Sequence, residues 1–185
     1  MARVPDLPPD QLSADQKRLF DAIGGARGGV VRGPFAIWLR TPAIADRANQ
    51  FGNALRLEGK LDRRLFELMV LIVARHWTAQ YEWYAHESQA LSSGVFAEVV
   101  EAIRGGRRPQ FAKYDEQMVY ELVTELNDKR TVSQPTYDRA LAAFGLEVLI
   151  ELTTATGFYT LVAMMLNTFD APVPGDIRPL PLLRT

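Results

Sequence analysis

The segment 63–75, RRLFELMVLIVAR, carries apolar side chains around nearly its whole circumference when it is drawn as an α-helix. Such a helix must be surrounded by other structure, because contact of its apolar surface with water is unfavourable. A β-strand over LMVLIV is the alternative, but the length of the segment and its charged, helix-favouring flanks argue against it. The sequence therefore predicts a central core helix around which the rest of the chain packs.

The rest of the chain carries helical patterns that are separated by caps and glycine stops. Ser13 with Gln16 forms a capping box, and Thr41 followed by Pro42 is a typical helix start. No segment shows the sustained period-two alternation of a half-buried strand. We therefore predict an all-α fold of about eight helices. Six of them begin near Ser13, Thr41, Asp62, Thr78, Val95 and Ser133, and the other two include 118–126 and 146–169.

The length of 185 residues fits a single compact domain. We divide the chain into an N-terminal helix and linker at 1–32, a main helical domain at 33–170 and a proline-rich tail at 171–185. The linker is rich in glycine, but it lacks the strand context and the Lys-Ser/Thr ending of a phosphate-binding loop. We expect the tail either to lie extended against a neighbour or to be disordered.

Composition excludes several classes of function. Lys and Arg number 21 against 22 Asp and Glu, so the net charge of −1 favours neither nucleic acid nor an anionic membrane as partner. The absence of cysteine excludes disulfides, thiolate metal sites and thiol nucleophiles. The N-terminus lacks the apolar run of a secretory signal, so we expect a cytoplasmic protein. The uncharged stretch 152–169 is diluted by threonines, which predicts a buried core helix rather than a membrane span.

One stretch combines the residues that acid/base chemistry needs. Glu82 and His86 are four residues apart, so on one helix the carboxylate can orient the imidazole and raise its basicity. Glu67 lies in the apolar helix, where a carboxylate needs a solvent edge or a buried partner. If the chain reverses between His76 and Thr78, Glu67 reaches the face that carries Glu82 and His86. The result is a proton-handling group whose pocket is walled by three aromatic residues, Trp77, Trp83 and Tyr84.

The same residues have a plainer interpretation. Glu82 and His86 would then form an intrahelical pair at the surface, and Glu67 would lie on an exposed edge of the core helix. A metal held by these three residues is chemically possible, but no second well-placed histidine accompanies His86. We predict neither a metal nor a cofactor, and both interpretations of the three residues stay open at this point.

Six stretches resemble the carboxymuconolactone decarboxylase family of the alkylhydroperoxidase D-like superfamily. They are GPFAIWL (33–39), TPAIADRANQFGNALR (41–56), LDRRLFELMVLIVARHW (61–77), AQYEWYAHESQALSSGV (79–95), EVVEAIRGGRRP (98–109) and FYTLVAMMLNTF (158–169). The most specific part is YEW before His86, with Glu67 upstream. The resemblance implies an all-helical alkylhydroperoxidase D-like bundle that assembles as a homo-oligomer, in which a neighbouring subunit helps to shape the site.

Members of this superfamily with peroxidase activity carry Cys-x-x-Cys-x-x-x-His and a glutamate twelve residues before the first cysteine. Counted back from His86, the two cysteine positions fall on Ala79 and Glu82, and the glutamate position falls on Glu67. The spacing agrees at every position, but both thiols are absent. Hydroperoxide reduction by the disulfide mechanism is therefore excluded.

The decarboxylase branch keeps the glutamate and the histidine without the thiol pair. By this resemblance His86 is the acid/base at the carbon that loses CO₂, and Glu67 and Glu82 tune or relay the proton. The reaction leaves an enolate-like carbanion, so a cation must hold the anionic parts of the substrate, and the candidates are Arg40 and Arg75. The implied partner is a small lactone or carboxylic acid of aromatic catabolism.

Two functions therefore compete. The first is cofactor-independent decarboxylation or related lyase chemistry. The second is a noncatalytic, ligand-binding or structural homo-oligomer on the same scaffold, which the missing thiols and the extra helices favour, since dedicated decarboxylases of the family are shorter. A distance between Glu67 and His86 above about 6 Å, with no cavity between them, would favour the second, because acid/base partners must reach a shared substrate.

Overall fold

A computed structural model describes residues 3–25 and 29–182. Within these ranges the regular structure consists of helices without strands, and eight of them are α-helices, which confirms the all-α prediction. They are α1 (Ala14–Gly25), α2 (Pro34–Trp38), α3 (Pro42–Asn53), α4 (Arg63–His76), α5 (Gln80–Ser92), α6 (Ala97–Arg104), α7 (Tyr114–Lys129) and α8 (Gln134–Thr168). A π-helical turn, Ala54–Glu58, continues α3, and short 3-10 turns lie at Pro9–Gln11 and Pro174–Asp176.

Helix α4 is the centre of the molecule, as the sequence predicts. Asp62 caps its first turn by accepting hydrogen bonds from the backbone N–H groups of Arg64 and Leu65. Every residue from 65 to 75 is buried, and α5, α7 and α8 pack around this helix. Full burial of one leucine or valine side chain contributes about 1.5–3 kcal/mol. The uninterrupted apolar run of α4 therefore supplies much of the drive for folding.

Helix α8 packs on α4 and α7 and contains a break at Gly145, where φ is 73° and ψ is 168°. The sequence predicts two helices that meet between Phe144 and Leu146, and the break lies at that junction. Glycine adopts such a positive φ without the strain that a side chain would cause. The helix is long and apolar enough to cross a membrane by length and composition, and 44% of its most apolar window is buried inside the fold.

Helix α3 approaches α8 closely at Gly52. A Cβ atom at this position would lie 3.1 Å from the ring of Phe158, so glycine allows the close contact. Phe51 meets the same ring edge-on, with centroids 5.5 Å apart. Beyond Asn53 the helix widens into the π-helical turn Ala54–Glu58. Turns of this kind are frequent at functional sites.

The described part of the proline-rich tail packs on its own helices. Leu180 is 1% exposed, and the side-chain amide of Gln80 bonds both its backbone N–H and its carbonyl at 2.9 Å. Arg75 of α4 and Arg104 of α6 donate to the carbonyls of the prolines on either side of Leu180. Up to residue 182, side chains of three helices therefore hold the tail backbone, an arrangement that the sequence does not predict.

Truncation of the core helix should destabilise the protein strongly. Leu71 in α4 has no exposed surface, so Leu71→Ala leaves a cavity and lowers the free energy of unfolding by about 2–5 kcal/mol. Leu57 is 75% exposed, and Leu57→Ala changes it by less than about 0.5 kcal/mol. Urea unfolding followed by circular dichroism compares the two variants. Similar losses in both would contradict the central place of α4.

Candidate functional site

His86 on α5 meets Glu67 on α4 inside the fold. Nδ1 of His86 lies 2.7 Å from Oε2 of Glu67 in a buried hydrogen bond. Glu67 has no exposed surface, and His86 is 8% exposed. The chain reverses around Thr78, which has a positive φ of 49°, and this reversal packs α5 against α4. The structure thus brings together two of the residues that the sequence selects.

Arg63 engages Glu67 from the other side. Its Nη2 lies 2.5 Å from Oε1 of Glu67 and donates to the side-chain oxygen of Gln89 at 2.7 Å. Glu67 is therefore held between a guanidinium and an imidazole, with one of its oxygens towards each. A buried carboxylate that is fixed in this way sets the orientation of the imidazole ring.

The imidazole of His86 is neutral near pH 7. Burial lowers the pKa of His86 from the ordinary value of 6.5, Glu67 opposes this effect, and the positive charges of Arg56 and Arg63 lower the pKa further. A neutral ring carries one proton, and the Glu67 carboxylate fixes that proton on Nδ1. Nε2 is therefore the nitrogen that remains as a proton acceptor.

Glu82, one turn before His86 on α5, is a carboxyl group of a different kind. It is 1% exposed, and both of its oxygens are buried without a hydrogen-bond partner. Burial raises the pKa of Glu82 well above its ordinary value of 4.5, so the fold favours the neutral, protonated form of this group. The expectation that Glu82 orients His86 is corrected, because Glu67 bonds the ring nitrogen and the neutral Glu82 does not.

A cavity of about 290 Å³ lies beside these groups. Glu82 and His86 line it, together with Tyr159 of α8, whose ring meets the His86 ring edge-on with centroids 5.2 Å apart. Much of the remaining wall is apolar and comes from Phe35, Phe158, Val162 and Leu166. The volume is at the lower end of the range for small-molecule sites. A proton donor and a proton acceptor thus share one small, largely apolar cavity.

Neither arginine that the sequence analysis assigns to the substrate lines this cavity. Arg40 donates to two backbone carbonyls, those of Ala36 and Pro5. Arg75 is buried near the C-terminal end of α4, where it donates to backbone carbonyls of α6 and the tail. Main-chain oxygens bind both guanidinium groups, so the structure does not bring either arginine to this cavity.

The three aromatic residues predicted to wall the pocket also lie outside it. Trp83 is fully buried and donates from Nε1 to Glu87, while Tyr84 is 40% exposed. Trp77 lies at the end of α4, where its carbonyl accepts a hydrogen bond from a side chain of α8. An α-helix turns by about 100° per residue, which carries positions 83 and 84 away from the face of Glu82 and His86.

Three cavity residues that the sequence analysis does not select lie along one face of α3 and its π-helical turn. Asn49, Asn53 and Arg56 follow each other at i, i+4 and i+7, and all three line the cavity. The sequence contains a pattern that could have found them, because polar residues three or four positions apart share one face of a helix, and this face adjoins the buried Ala45 and Gly52. Tyr159 has no such signal, since only the packing of α8 brings it to the site.

Among residues 3–25 and 29–182, no group of three His, Asp or Glu side chains is placed to hold a metal ion. The chemistry that the described residues themselves offer is proton transfer. Neutral Glu82 can give a proton, and neutral His86 can accept one at Nε2. Glu67 and Arg63 form the fixed support behind the imidazole.

Two solved structures share this fold over nearly the whole chain. One is an alkylhydroperoxidase AhpD core, an uncharacterized peroxidase-related protein from Ralstonia eutropha JMP134, with a TM-score of 0.77 and 16% identity over 95% of this chain and 93% of that one. The other is an uncharacterized peroxidase-related protein from Silicibacter sp. TM1040, with a TM-score of 0.76 and 14% identity over 97% and 95% of the two chains.

These likenesses confirm the predicted alkylhydroperoxidase D-like fold. At such identities they establish the fold and leave the activity to the residues of the site. No protein-family model matches the chain, and neither does any curated protein. The decarboxylase branch within the fold therefore stays a prediction.

Replacement of Glu82 by glutamine should change stability in a pH-dependent manner. In the unfolded chain this carboxyl ionises above about pH 4.5, whereas in the fold it stays neutral to a higher pH, so folding takes up a proton. The stability of the wild type then falls, relative to a neutral isostere, by up to about 1.4 kcal/mol per pH unit until the raised pKa is reached. Glu82→Gln therefore becomes progressively more stable than the wild type as the pH rises from 4.5 towards 7.

Urea unfolding across this pH range measures the difference. The exposed Glu98 on α6 provides the matched control, and Glu98→Gln should show no comparable slope. A stability difference for Glu82→Gln that is constant with pH would contradict a buried neutral carboxyl.

Proposed function

We propose that the protein is an acid/base enzyme that removes CO₂ from a small lactone or carboxylic acid without a cofactor. The observation that carries this proposal is the 2.7 Å hydrogen bond between Glu67 and His86, beside the neutral Glu82 on the same cavity. Together these groups supply a proton acceptor and a proton donor. A pair of titratable groups whose environments push their pKa values apart is typical of acid/base sites.

The reaction consumes one proton, which passes through two groups of the site. Loss of CO₂ breaks a carbon–carbon bond and leaves its electron pair on the remaining carbon, from where it spreads onto a neighbouring carbonyl oxygen as an enolate. Glu82 gives its proton to Nε2 of His86, and the imidazolium formed in this way delivers that proton to the carbon while Glu67 keeps the ring in place. Solvent then returns a proton to Glu82, so one proton is consumed for each CO₂ released.

Thiol peroxidase activity remains excluded for this chain, although both structural neighbours are peroxidase-related. The resemblance places the two thiols at Ala79 and Glu82, and the chain has no cysteine. The noncatalytic alternative predicts a Glu67–His86 distance above about 6 Å with no cavity between them. The observed hydrogen bond and the adjoining cavity support the enzyme instead.

We also propose that a second copy of the chain covers the apolar groove between α3 and α8. Ile44, Phe51 and Leu161 on this groove are each about half exposed, at 57%, 47% and 46%. Contiguous apolar patches of this kind are typical of association surfaces. Phe158 lines both the groove and the cavity, so a second copy seated here would contact a wall of the site.

The assembly proposal predicts that a charge in this groove separates the copies. Leu161→Glu should shift the protein to a smaller species, because ion burial in an apolar contact is unfavourable. Leu91 on α5 is 41% exposed and does not line the groove, so Leu91→Glu serves as the control. Size-exclusion chromatography with light scattering measures both variants. A wild-type monomer would contradict the proposal.

Loss of the imidazole should abolish most of the activity. With γ-carboxymuconolactone and related small acids as substrates, His86→Ala should lower kcat/KM by about 10²–10⁴-fold, the usual contribution of general acid/base catalysis. His76→Ala replaces the other histidine of the chain, which pairs with Asp128, and should leave the rate unchanged. Released CO₂ and lactone absorbance are the readouts. Wild-type turnover by His86→Ala would remove His86 from the reaction.

The pH profile should reflect both neutral groups. His86 is neutral only above its lowered pKa, and Glu82 is neutral only below its raised pKa, so kcat/KM should be highest between these two pKa values and fall on either side. Glu82→Asp keeps a carboxyl group and therefore should keep the alkaline fall, whereas Glu82→Gln should lose it along with much of the rate. An unchanged alkaline fall in Glu82→Gln would exclude Glu82 as its source.

A further inference from the structure

Arg56 is a cation of the cavity wall that the proton chemistry does not use. Its side chain is partly buried, and its Nε has no hydrogen-bond partner. In the part of the chain that the structure describes, no carboxylate forms an ion pair with it. Three other partly buried arginines have an acidic partner, Arg63 with Glu67, Arg64 with Glu116, and Arg104 with Glu87. The buried Arg75 has none, but two backbone carbonyls and the Thr78 hydroxyl accept its hydrogen bonds.

The carboxyl groups nearest to the site leave this positive charge uncompensated. Glu67 is already engaged by Arg63 and His86, and Glu82 is neutral. The charge of Arg56 is felt by the site residues, since it lowers the pKa of His86 and opposes the rise that burial causes in the pKa of Tyr159. A partly buried cation without a counter-charge favours an anion that arrives from outside.

Two amide side chains extend this polar face. Asn49 and Asn53 lie two turns and one turn before Arg56, on the same wall of the cavity. A side-chain amide offers N–H donors, and a guanidinium offers a planar fork of donors that matches the two oxygens of a carboxylate. The face formed by Asn49, Asn53 and Arg56 is therefore rich in donors and positively charged.

Apolar residues in the rest of the cavity wall favour a ligand with an apolar part. Phe35, Phe158 and Val162 contribute side chains that cannot bond a second polar group. The volume of about 290 Å³ admits a molecule of roughly one ring rather than a long chain. The ligand that matches both walls is thus a small organic acid with its charge at one end.

We propose that Arg56, assisted by Asn49 and Asn53, binds the carboxylate of a small organic acid and directs the apolar body of that acid along Phe158 towards His86. This assignment deepens the proposed function and rests on it for the reaction that follows binding. It also replaces Arg40 and Arg75 as the cations that recognise the substrate. Arg56 is a specificity-determining residue in this account, and the proton chemistry belongs to His86 and Glu82.

Calorimetric titration with sodium benzoate and with benzamide, its neutral isostere, tests the assignment on the full chain. Wild type should bind benzoate at least about tenfold more tightly than benzamide, and Arg56→Gln should lose at least about tenfold in benzoate affinity. Arg56→Lys keeps the charge but not the fork, and it should retain part of the affinity. Arg18→Gln on α1, at an exposed position that does not line the cavity, should bind as wild type does.

Arg32 also lines the cavity, at an exposed position, and supplies the competing explanation. Loss of benzoate binding in Arg32→Gln but not in Arg56→Gln would overturn the assignment, as would equal binding of benzamide or no binding of benzoate by wild type at millimolar concentration. Thermal unfolding shows whether Arg56→Gln is folded, and if it is not, Arg56→Lys decides the question through its ratio of benzoate to benzamide affinity.

An NMR titration of the His86 ring locates the bound acid. Because Arg56 lowers the pKa of His86, a carboxylate bound at Arg56 should raise the pKa of His86 in wild type. The other groups around the ring, Glu67, Arg63, Glu82 and Tyr159, are the same with and without benzoate. In Arg56→Gln benzoate should cause no such rise. Benzoate binding through Arg56 without any CO₂ release would contradict the proposed reaction alone. Turnover that Arg56→Gln leaves intact would contradict this assignment alone.

Discussion

Glu67 places a carboxylate in the middle of the most buried helix of the molecule, and the site is built from the groups that satisfy it. Helix α4 must be enclosed because its apolar run is continuous, and the enclosing α5 brings His86 to Glu67 at 2.7 Å. Arg63 approaches the other oxygen from one turn earlier on α4. An unpaired carboxylate here would be strongly unfavourable, so the requirement to pair Glu67 fixes the position of the imidazole.

The second carboxyl group of the site has the opposite environment, without a charged or hydrogen-bonding partner. Glu82 has no partner for either oxygen, and it remains in the fold as a neutral acid. It occupies one of the positions where the resemblance places a thiol, and Ala79 occupies the other. The alkylhydroperoxidase D-like fold is thus retained, while the residues at the cavity offer proton transfer instead of thiol redox chemistry.

The sequence predicts the parts of the structure that depend on local order. The apolar run places α4 at the centre, and Gly145 separates the two segments of α8 where the pattern changes. Helical spacing also selects Glu67, Glu82 and His86, although it misassigns the partner of His86. The walls of the cavity are harder to predict, because Trp83 is apolar in the sequence but faces the core rather than the cavity. Arg56 and Tyr159 reach the site only because the fold brings the π-helical turn and α8 to the wall of the cavity.

Long-range ¹⁵N NMR of the His86 side chain at neutral pH tests the central claim most directly, because it reports which ring nitrogen carries the proton. We expect a neutral imidazole with its proton on Nδ1, where Glu67 accepts it, and a bare Nε2 towards the cavity. The same state should persist in Glu82→Gln, since Glu82 does not orient the ring. An imidazolium, or a neutral ring with its proton on Nε2, would contradict the arrangement on which the proposed chemistry rests.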